Sequence, residues 1–203
     1  SIAKTKIEKK EVDEIILGQV LTGGTGQNPA RQASIKSGLP VETPAYVVNQ
    51  VCGSGLRSIV SGFQSISSNN SNIIIAGGQE NMSLAPHAIH LRDGKKLGDA
   101  KLIDTMIQDG LWDAFNEYHM GMTAENVAEK FQITRDEQDH FALNSQEKAL
   151  EAQKHNKFEK EIINFKIKSK KSEIDFSKDE HPRDGISLDS LSRLKPVFKK
   201  DGT

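Results

Sequence analysis

Residues 49–57 read NQVCGSGLR, and they join a predicted strand at residues 46–51 to a predicted helix that begins at Ser54. Apolar side chains recur along this helix every three or four residues, which predicts one apolar stripe. The stripe consists of Leu56, Ile59, Val60, Phe63 and Ile66. Residues 73–75 are three consecutive isoleucines, a run typical of a strand buried on both faces. Strand, helix and strand in this order predict a parallel βαβ unit.

The residues before this unit predict a further strand and helix of the same α/β class. Residues 12–20 (VDEIILGQV) predict the first strand, and a glycine-rich loop follows at residues 23–26. Pro29 is expected to open a short helix that ends at Gly38, with Pro40 behind it as the stop. The fold class predicted for this part of the chain is therefore α/β.

The character of the sequence changes after residue 81. Thr123 is expected to cap one helix, and residues 134–137 (TRDE) form a capping box for a second helix that runs to about His155. Residues 162–167 alternate between apolar and polar, as a half-exposed strand does. The rest of the chain reads as polar and irregular.

The 203 residues are long enough for one large domain or two small ones. The predicted division is an α/β core at residues 1–81 and a subdomain of helices and loops at residues 82–203.

Composition and charge exclude several classes of protein. A net charge of −1 argues against a nucleic-acid binder, and no run reaches the ~20 apolar residues of a membrane span. Cys52 is the single cysteine, so an intrachain disulfide and a cysteine-rich metal site are impossible. His87 and His90 have no third ligand at a useful spacing, so no metal site is predicted. One cysteine, and no secretory signal in residues 1–15, favour a cytoplasmic location.

Cys52 is the candidate nucleophile, because it falls between a buried strand and the start of a helix. Backbone N–H groups and the helix dipole at that place favour a thiolate. Gly53 and Gly55 remove side chains where a substrate approaches and allow a sharp turn. The same design places the serine of a nucleophile elbow. The spacing alone leaves a second interpretation open, in which Cys52 is a small buried residue in a turn.

Six strings together resemble the thiolase family, and the resemblance covers essentially the whole chain. They are GQNPARQA at 26–33, NQVCGSGLRSI at 49–59, NIIIAGGQENMS at 72–83, LIDTMIQDGLWDAF at 102–115, HMGMTAENVAEKF at 119–131 and SRLKPVFKKDGT at 192–203. Their order and separation are those of the short-chain biosynthetic type. The resemblance implies a thiolase-like fold, here the incomplete first half of a layered αβαβα architecture, with a loop subdomain that covers the coenzyme A (CoA) site.

The resemblance also implies roles for individual residues near the reacting thioester. Cys52 is the nucleophile that carries the acyl group, and its own backbone N–H contributes to an oxyanion hole. His119 lines the channel for the pantetheine arm of CoA, close to the thioester. Leu111 and Met120 match apolar groups that cover the same channel.

At the other end of the ligand, the resemblance assigns Arg183 and Ser190 to the loop that contacts the nucleotide of CoA. An arginine there can stack on an adenine or pair with a phosphate. His181-Pro182 lies in this loop as well, preceded by Glu180. The activating histidine of thiolases is in a Gly-His-Pro motif, so His181 is not assigned a catalytic role.

The activity that the resemblance implies is the reversible condensation of two acetyl-CoA molecules to acetoacetyl-CoA and CoA, with CoA as substrate or product and no resident cofactor. Neither the Gly-His-Pro motif nor a second cysteine occurs in this sequence. We therefore expect the chain to be the N-terminal portion of such an enzyme. The family implies a homodimer or homotetramer, and residues 91–106 resemble its tetramer-forming loop. Two alternatives are a ketoacyl synthase or similar condensing enzyme, and a CoA-binding module without catalysis.

Overall fold

The computed structural model describes residues 2–168 and 172–203. These described residues form two compact units, and the chain passes from the first to the second between Glu117 and Tyr118. The first contains β1 (Glu14–Gly18), α1 (Pro29–Lys36), β2 (Ala45–Val48), α2 (Ser54–Ser67), β3 (Ile74–Gly78), β4 (His87–Ala88), β5 (Ile103–Asp104) and β6 (Trp112–Asp113). The second contains β7 (Tyr118–His119), α3 (Met120–Phe131), α4 (Arg135–Lys154), β8 (Phe165–Lys168), β9 (Glu173–Phe176) and α5 (Leu188–Ser192). The predicted domain boundary after residue 81 stays a prediction.

The centre of the first unit is a parallel sheet in the order β2-β1-β3. Ile16 lies in the middle strand, paired with Tyr46 on one side and Ala76 on the other, and it is fully buried. Val12 and Ile15 form the buried core with Leu39, which follows α1. The α/β class and the parallel βαβ unit are thereby confirmed.

Helix α2 packs on the sheet through small residues. Ser54, Ser58 and Gly62 recur every four residues and are its buried positions. A Cβ atom on Gly62 would lie 3.3 Å from Ile74 Cγ2, which shows how closely α2 approaches β3. The predicted apolar stripe is therefore not the face that meets the sheet: all five of its side chains are exposed, and Leu56 and Phe63 are each 69% exposed.

All four predicted strands differ in extent from the observed ones. Strand β1 covers Glu14–Gly18 rather than residues 12–20, and β8 covers Phe165–Lys168 rather than residues 162–167, with every residue exposed instead of half-exposed. Strand β2 ends at Val48 rather than at residue 51, because the backbone turns toward α2 from Asn49 onward. Strand β3 starts at Ile74, and most of its residues are only partly buried. The prediction of burial on both faces is wrong because β3 lies at the edge of the sheet within the described residues.

In the second unit, α4 begins with the predicted capping box, since Thr134 and Glu137 each accept the other's backbone N–H. Helix α3, however, begins at Met120 and is capped by His119, not by Thr123. The segment predicted to be irregular contains β9, which pairs antiparallel with β8, and the short helix α5. Residues 2–168 and 172–203 include no helix long and apolar enough to span a membrane.

Asp13 ties the start of β1 to the start of β3, and it should make stability depend on pH. Its carboxylate accepts the backbone N–H groups of Ile73 and Asn72, at 2.9 and 2.6 Å, and these bonds hold the pKa of Asp13 below its ordinary value. A lowered folded-state pKa stabilises the fold above the unfolded pKa, and this contribution is lost as the pH falls through the folded pKa. We therefore expect Asp13→Asn to lower the free energy of unfolding at pH ~6, and the difference from the parent to shrink toward pH ~3.

Urea unfolding at several pH values measures this difference. Asp93→Asn, a change in an exposed loop, is the control and should leave the pH dependence as it is. A constant difference between the Asp13→Asn variant and the parent from pH ~6 to pH ~3 would contradict the role given to these hydrogen bonds.

Candidate functional site

The turn between β2 and α2 is built by side chains that bond to its backbone. Asn49 Oδ1 accepts the N–H of Val51 at 2.9 Å. The buried hydroxyl of Ser54 accepts the N–H of Gln50 at 2.8 Å and donates to the carbonyl of Val51 at 2.6 Å. These bonds join residues before and after Cys52 in the sequence, so the backbone on both sides of the thiol is fixed.

The unusual backbone angle in this turn belongs to Val51. Its φ is +48°, in the left-handed region that a β-branched residue rarely adopts. Gly53, in contrast, has a φ of −83°, and Gly55 lies in the first turn of α2. The prediction that Gly53 and Gly55 supply the sharp turn is therefore wrong. Strain of this kind persists only where surrounding contacts enforce it, and it concentrates at functional sites.

Cys52 itself is exposed, which does not fit its interpretation as a small buried residue. It immediately precedes Gly53, the N-cap residue of the 14-residue helix α2. The N-terminal end of a helix carries a partial positive charge, and the N–H groups of its first turn lack partners within the helix. An exposed thiol at this position is accessible to an incoming thioester and can act as a nucleophile. The nucleophilic role of Cys52 stays a prediction.

Glycines at the ends of β1 and β3, Gly18 and Gly78, let the start of α2 approach the sheet. A Cβ atom on Gly18, the last residue of β1, would overlap the backbone of Ser54 and lie 2.5 Å from the nitrogen of Gly55. A Cβ atom on Gly78 would lie 3.4 Å from the Cα of Gly55. The buried hydroxyl of Ser58 then bonds to the carbonyl of Gly77 at 2.6 Å, which joins α2 to β3. The start of α2, which follows Cys52 directly, is therefore held against both β1 and β3.

Replacing Gly18 by alanine should destabilise the first unit, because the new methyl group meets backbone atoms that cannot rotate away. We expect a loss of about 3 kcal/mol in the free energy of unfolding. Gly55→Ala is the matched control. A Cβ atom on Gly55 meets no neighbouring atom of the described residues within 4 Å, so we expect a change below about 1 kcal/mol. Denaturant unfolding of both variants measures the difference, and equal losses would contradict the close approach at Gly18.

Polar side chains follow the ends of β1 and β3, at the same edge of the parallel sheet. Gln19 is buried; its amide oxygen accepts from Gln79 Nε2 at 2.9 Å, and its own Nε2 donates to the carbonyl of Leu21. The Glu80 carboxylate accepts the N–H groups of Val20 at 2.8 Å and Leu21 at 3.2 Å. This network closes the carboxyl edge of the sheet, where α/β folds bind ligands. It was missed in the sequence, although Gln19 and Gln79 each follow a strand directly.

In the second unit, His119 is fixed at the start of α3. Its Nδ1 accepts the backbone N–H of Gly121 at 3.0 Å, so in the neutral ring the proton is on Nε2. The ring of Phe198 stacks on the imidazole, with centroids 4.8 Å apart and planes inclined by 20°. Phe198 was not among the predicted site residues, because nothing in its local sequence connects it with His119. Met120, the first residue of α3, is partly exposed.

The remaining predicted residues lie on three different segments. Leu111 is the last residue of a short π-helical turn, Ile107–Leu111, in the first unit. Arg183 is exposed, and its backbone N–H donates to Gln146 Oε1 at 3.0 Å. Ser190 belongs to the capping box of α5: its hydroxyl accepts the N–H of Ser187 at 3.0 Å and donates to the carbonyl of Ser187 at 2.7 Å. The hydroxyl of Ser190 therefore has a structural partner already.

Comparison with known proteins identifies the family of this chain. The family model described as "Thiolase, N-terminal domain" matches residues 1–203. The chain belongs to the thiolase family. The chain is similar to the acetyl-CoA acetyltransferases of Rhizobium meliloti (strain 1021) and Paracoccus denitrificans, and it is 55% identical to each over 202 residues. Those matches cover 100% of this chain and 51% and 52% of the relatives. The chain thus spans about half the length of the curated thiolases that it matches.

The thiolase fold is also found in a similar solved structure. The crystal structure of the Bacillus anthracis acetyl-CoA acetyltransferase superposes with a TM-score of 0.92 at 40% identity, over 97% of this chain and 50% of that one. The family and the thiolase-like fold inferred from the six strings are therefore confirmed. The roles of Cys52, Leu111, His119, Met120, Arg183 and Ser190 within a thiolase stay predictions.

Proposed function

We propose that this chain supplies the nucleophile of a thiolase that transfers an acetyl group from one acetyl-CoA to another, reversibly giving acetoacetyl-CoA and CoA. The observation that supports this most directly is the exposed thiol of Cys52 on a strained turn at the N-terminus of α2. Relatives over 50% identical that are named acetyl-CoA acetyltransferase support the choice of substrate.

The first half of the proposed reaction forms an acyl-enzyme. The thiolate of Cys52 attacks the carbonyl carbon of acetyl-CoA, and the negative charge on the carbonyl oxygen is stabilised by backbone N–H groups that include that of Cys52. The carbon–sulfur bond to CoA then breaks, and CoA leaves as a thiolate that takes up a proton. The step exchanges one thioester for another, so it is nearly balanced in free energy and runs in either direction.

The second half forms the carbon–carbon bond. A base removes a proton from the α-carbon of a second acetyl-CoA, and the resulting carbanion attacks the acyl carbon on Cys52. The bond between that carbon and the sulfur of Cys52 breaks, which regenerates the thiolate and releases acetoacetyl-CoA. General acid and base groups must be positioned for these proton transfers. Cys52 is already committed as the nucleophile, so we assign the acid and base to the rest of the protein.

We assign the binding of CoA to the residues that the resemblance to thiolases indicates. His119, Leu111 and Met120 contact the pantetheine arm near the thioester, while Arg183 and Ser190 contact the nucleotide end. CoA enters as a substrate or leaves as a product, and no resident cofactor is part of the proposal.

The exposed apolar stripe of α2 supports association with further protein. A stripe of five apolar side chains on one helix is a surface that other protein usually covers. We propose that the complete protein is a cytoplasmic homodimer or homotetramer in which the second half of the thiolase accompanies this chain.

Labelling with acetyl-CoA tests the proposed function. The chain, supplied with the complementary half of a thiolase relative, is incubated with acetyl-CoA that carries a labelled acetyl group, and the modified peptide is identified by mass spectrometry. We expect one acetyl group per chain, on Cys52, with release of CoA. Retained CoA binding with an unmodified Cys52 would instead favour the CoA-binding module. Acylation from an acyl-carrier thioester, but not from acetyl-CoA, would favour a ketoacyl synthase.

A further inference from the structure

We infer that Phe198 is a positioning residue that holds the imidazole of His119 in one orientation and one tautomer. The inference deepens the proposed function and rests on it for the identity of the substrate, since His119 is proposed to lie near the thioester. The geometry that carries it involves only residues of the second unit: His119, Gly121, Phe198 and the segment around Phe198.

An imidazole side chain can rotate about its Cβ–Cγ bond, and a half-turn places Cδ2 where Nδ1 was and Cε1 where Nε2 was. In this protein the backbone N–H of Gly121 donates to Nδ1 of His119 at 3.0 Å, so a half-turn of the ring would break that bond. The Phe198 ring lies nearly parallel to the imidazole, 4.8 Å away, and covers one of its faces. Rotation of the imidazole would therefore lose both the hydrogen bond and the stacking. Together they hold Nε2 as the protonated nitrogen, the hydrogen-bond donor that a thioester oxygen requires.

Gly121 completes the arrangement, since its missing side chain leaves the space that Phe198 occupies. A Cβ atom on Gly121 would overlap three atoms of the Phe198 ring. Gly121 therefore has two functions: it donates to Nδ1 of His119, and it admits the ring that stacks on the same imidazole. An alanine at this position would keep the N–H group but would displace Phe198.

Phe198 is in turn held by the segment that carries it. The ammonium of Lys199, the next residue, pairs with Glu129 on α3 at 2.8 Å. Further along, the backbone N–H of Thr203 donates to Glu125 on α3 at 2.9 Å, and the Thr203 hydroxyl accepts from Gln138 on α4 at 2.8 Å. The segment is thus anchored on both helices without using the aromatic ring.

The exposure of Phe198 agrees with a positioning role. Its side chain is 46% exposed, so it contributes less to core packing than a buried phenylalanine does. Its neighbour Val197 is 83% exposed and serves as a matched control in the same segment.

The first test measures the hydrogen bond itself in the 203-residue chain. In a ¹⁵N-labelled sample, a scalar coupling across the hydrogen bond joins the amide nitrogen of Gly121 to Nδ1 of His119. We expect this coupling in the parent and in Phe198→Tyr, which keeps an aromatic ring. It should be lost in Phe198→Leu and in Gly121→Ala, and Val197→Ala should retain it. If Phe198→Leu does not fold, as judged by its amide spectrum, Phe198→Met replaces it. Retention of the coupling in a folded Phe198→Leu or Phe198→Met chain would overturn the inference.

The second test measures acylation of Cys52 in the protein supplied with the complementary thiolase half. We expect Phe198→Leu to slow acylation at saturating acetyl-CoA by about 10-fold, with KM changed by less than about twofold, because a misplaced donor affects the reacting carbonyl more than the remote contacts. Phe198→Tyr should restore the rate. A change in KM alone would overturn the link to the reaction. If the parent shows the coupling but never becomes acylated, the proposed function fails, while the positioning of His119 by Phe198 stands.

Discussion

Replacing Cys52 by serine is expected to lower the rate of acyl transfer from acetyl-CoA by at least about 10³-fold. A serine hydroxyl is not ionised near neutral pH, and a helix N-terminus does not change that enough to make it a good nucleophile. The alkoxide would also be a much poorer leaving group than a thiolate in the second half of the reaction. The serine keeps the size of the side chain, so the turn fixed by Asn49 and Ser54 should persist.

Single-turnover labelling with acetyl-CoA measures this loss in the protein supplied with the complementary thiolase half. CoA binding, followed by calorimetry, should be nearly unchanged in Cys52→Ser. The matched control is Ser67→Ala, an exposed change at the far end of α2, which should leave the rate of acylation as it is. Undiminished labelling of the Cys52→Ser variant on another residue would show that the acyl group is carried elsewhere.

The strand–helix–strand arrangement was predictable because apolar periodicity and turn residues act locally. The run of isoleucines at residues 73–75 indicates a strand wherever it pairs, and Pro29 indicates a helix start whatever packs on it. The capping box of Thr134 and Glu137 is predictable for the same reason, since both of its partners lie within four residues. The family became recognisable from six short strings, two of which include Pro29 and the run of isoleucines.

The packing of α2 was not predictable from its own sequence. Hydrophobic periodicity locates an apolar stripe, but it does not say which of the available surfaces the stripe will meet. Ser58 and Gly62 allow the close approach to β3 only because Ile74 and Ala76 are across from Gly62 and the carbonyl of Gly77 accepts the hydroxyl of Ser58. That fit is a property of the pair of elements, and it leaves the larger side chains of the stripe exposed.

Contacts between residues distant in sequence account for what was missed at the candidate site. No local pattern near Phe198 indicates that its ring stacks on His119. Likewise, the left-handed angle of Val51 follows from hydrogen bonds to Asn49 and Ser54, not from the conformational preference of valine. The position of Cys52 between a strand and a helix could be inferred, whereas the strain beside it could not.

The 203-residue chain alone is expected not to turn over acetyl-CoA or acetoacetyl-CoA. Condensation requires the removal of an α-proton, and thiolysis requires the activation of a CoA thiol, so both directions need a positioned acid or base near the thioester. Cys52 is the single cysteine, and no Gly-His-Pro motif occurs in the sequence. The one His-Pro pair, His181-Pro182, follows Glu180 and lies in an exposed loop whose backbone bonds to Asp179. When catalytic groups act as a unit, the removal of one of them lowers the rate of the reaction by several orders of magnitude.

Thiolysis of acetoacetyl-CoA by the purified chain measures this directly, through the loss of absorbance of the substrate's enolate. We expect a rate below about 10⁻³ of that obtained when the complementary thiolase half is supplied. The exposed stripe of α2 offers an independent readout, because Leu56 and Phe63 should become protected from solvent in the assembled protein. The control is Cys52→Ser assembled in the same way, which should show the protection without the activity. Turnover by the isolated chain at ordinary enzyme rates would mean that the essential acid and base lie among these 203 residues, and His119 would then be the first residue to replace.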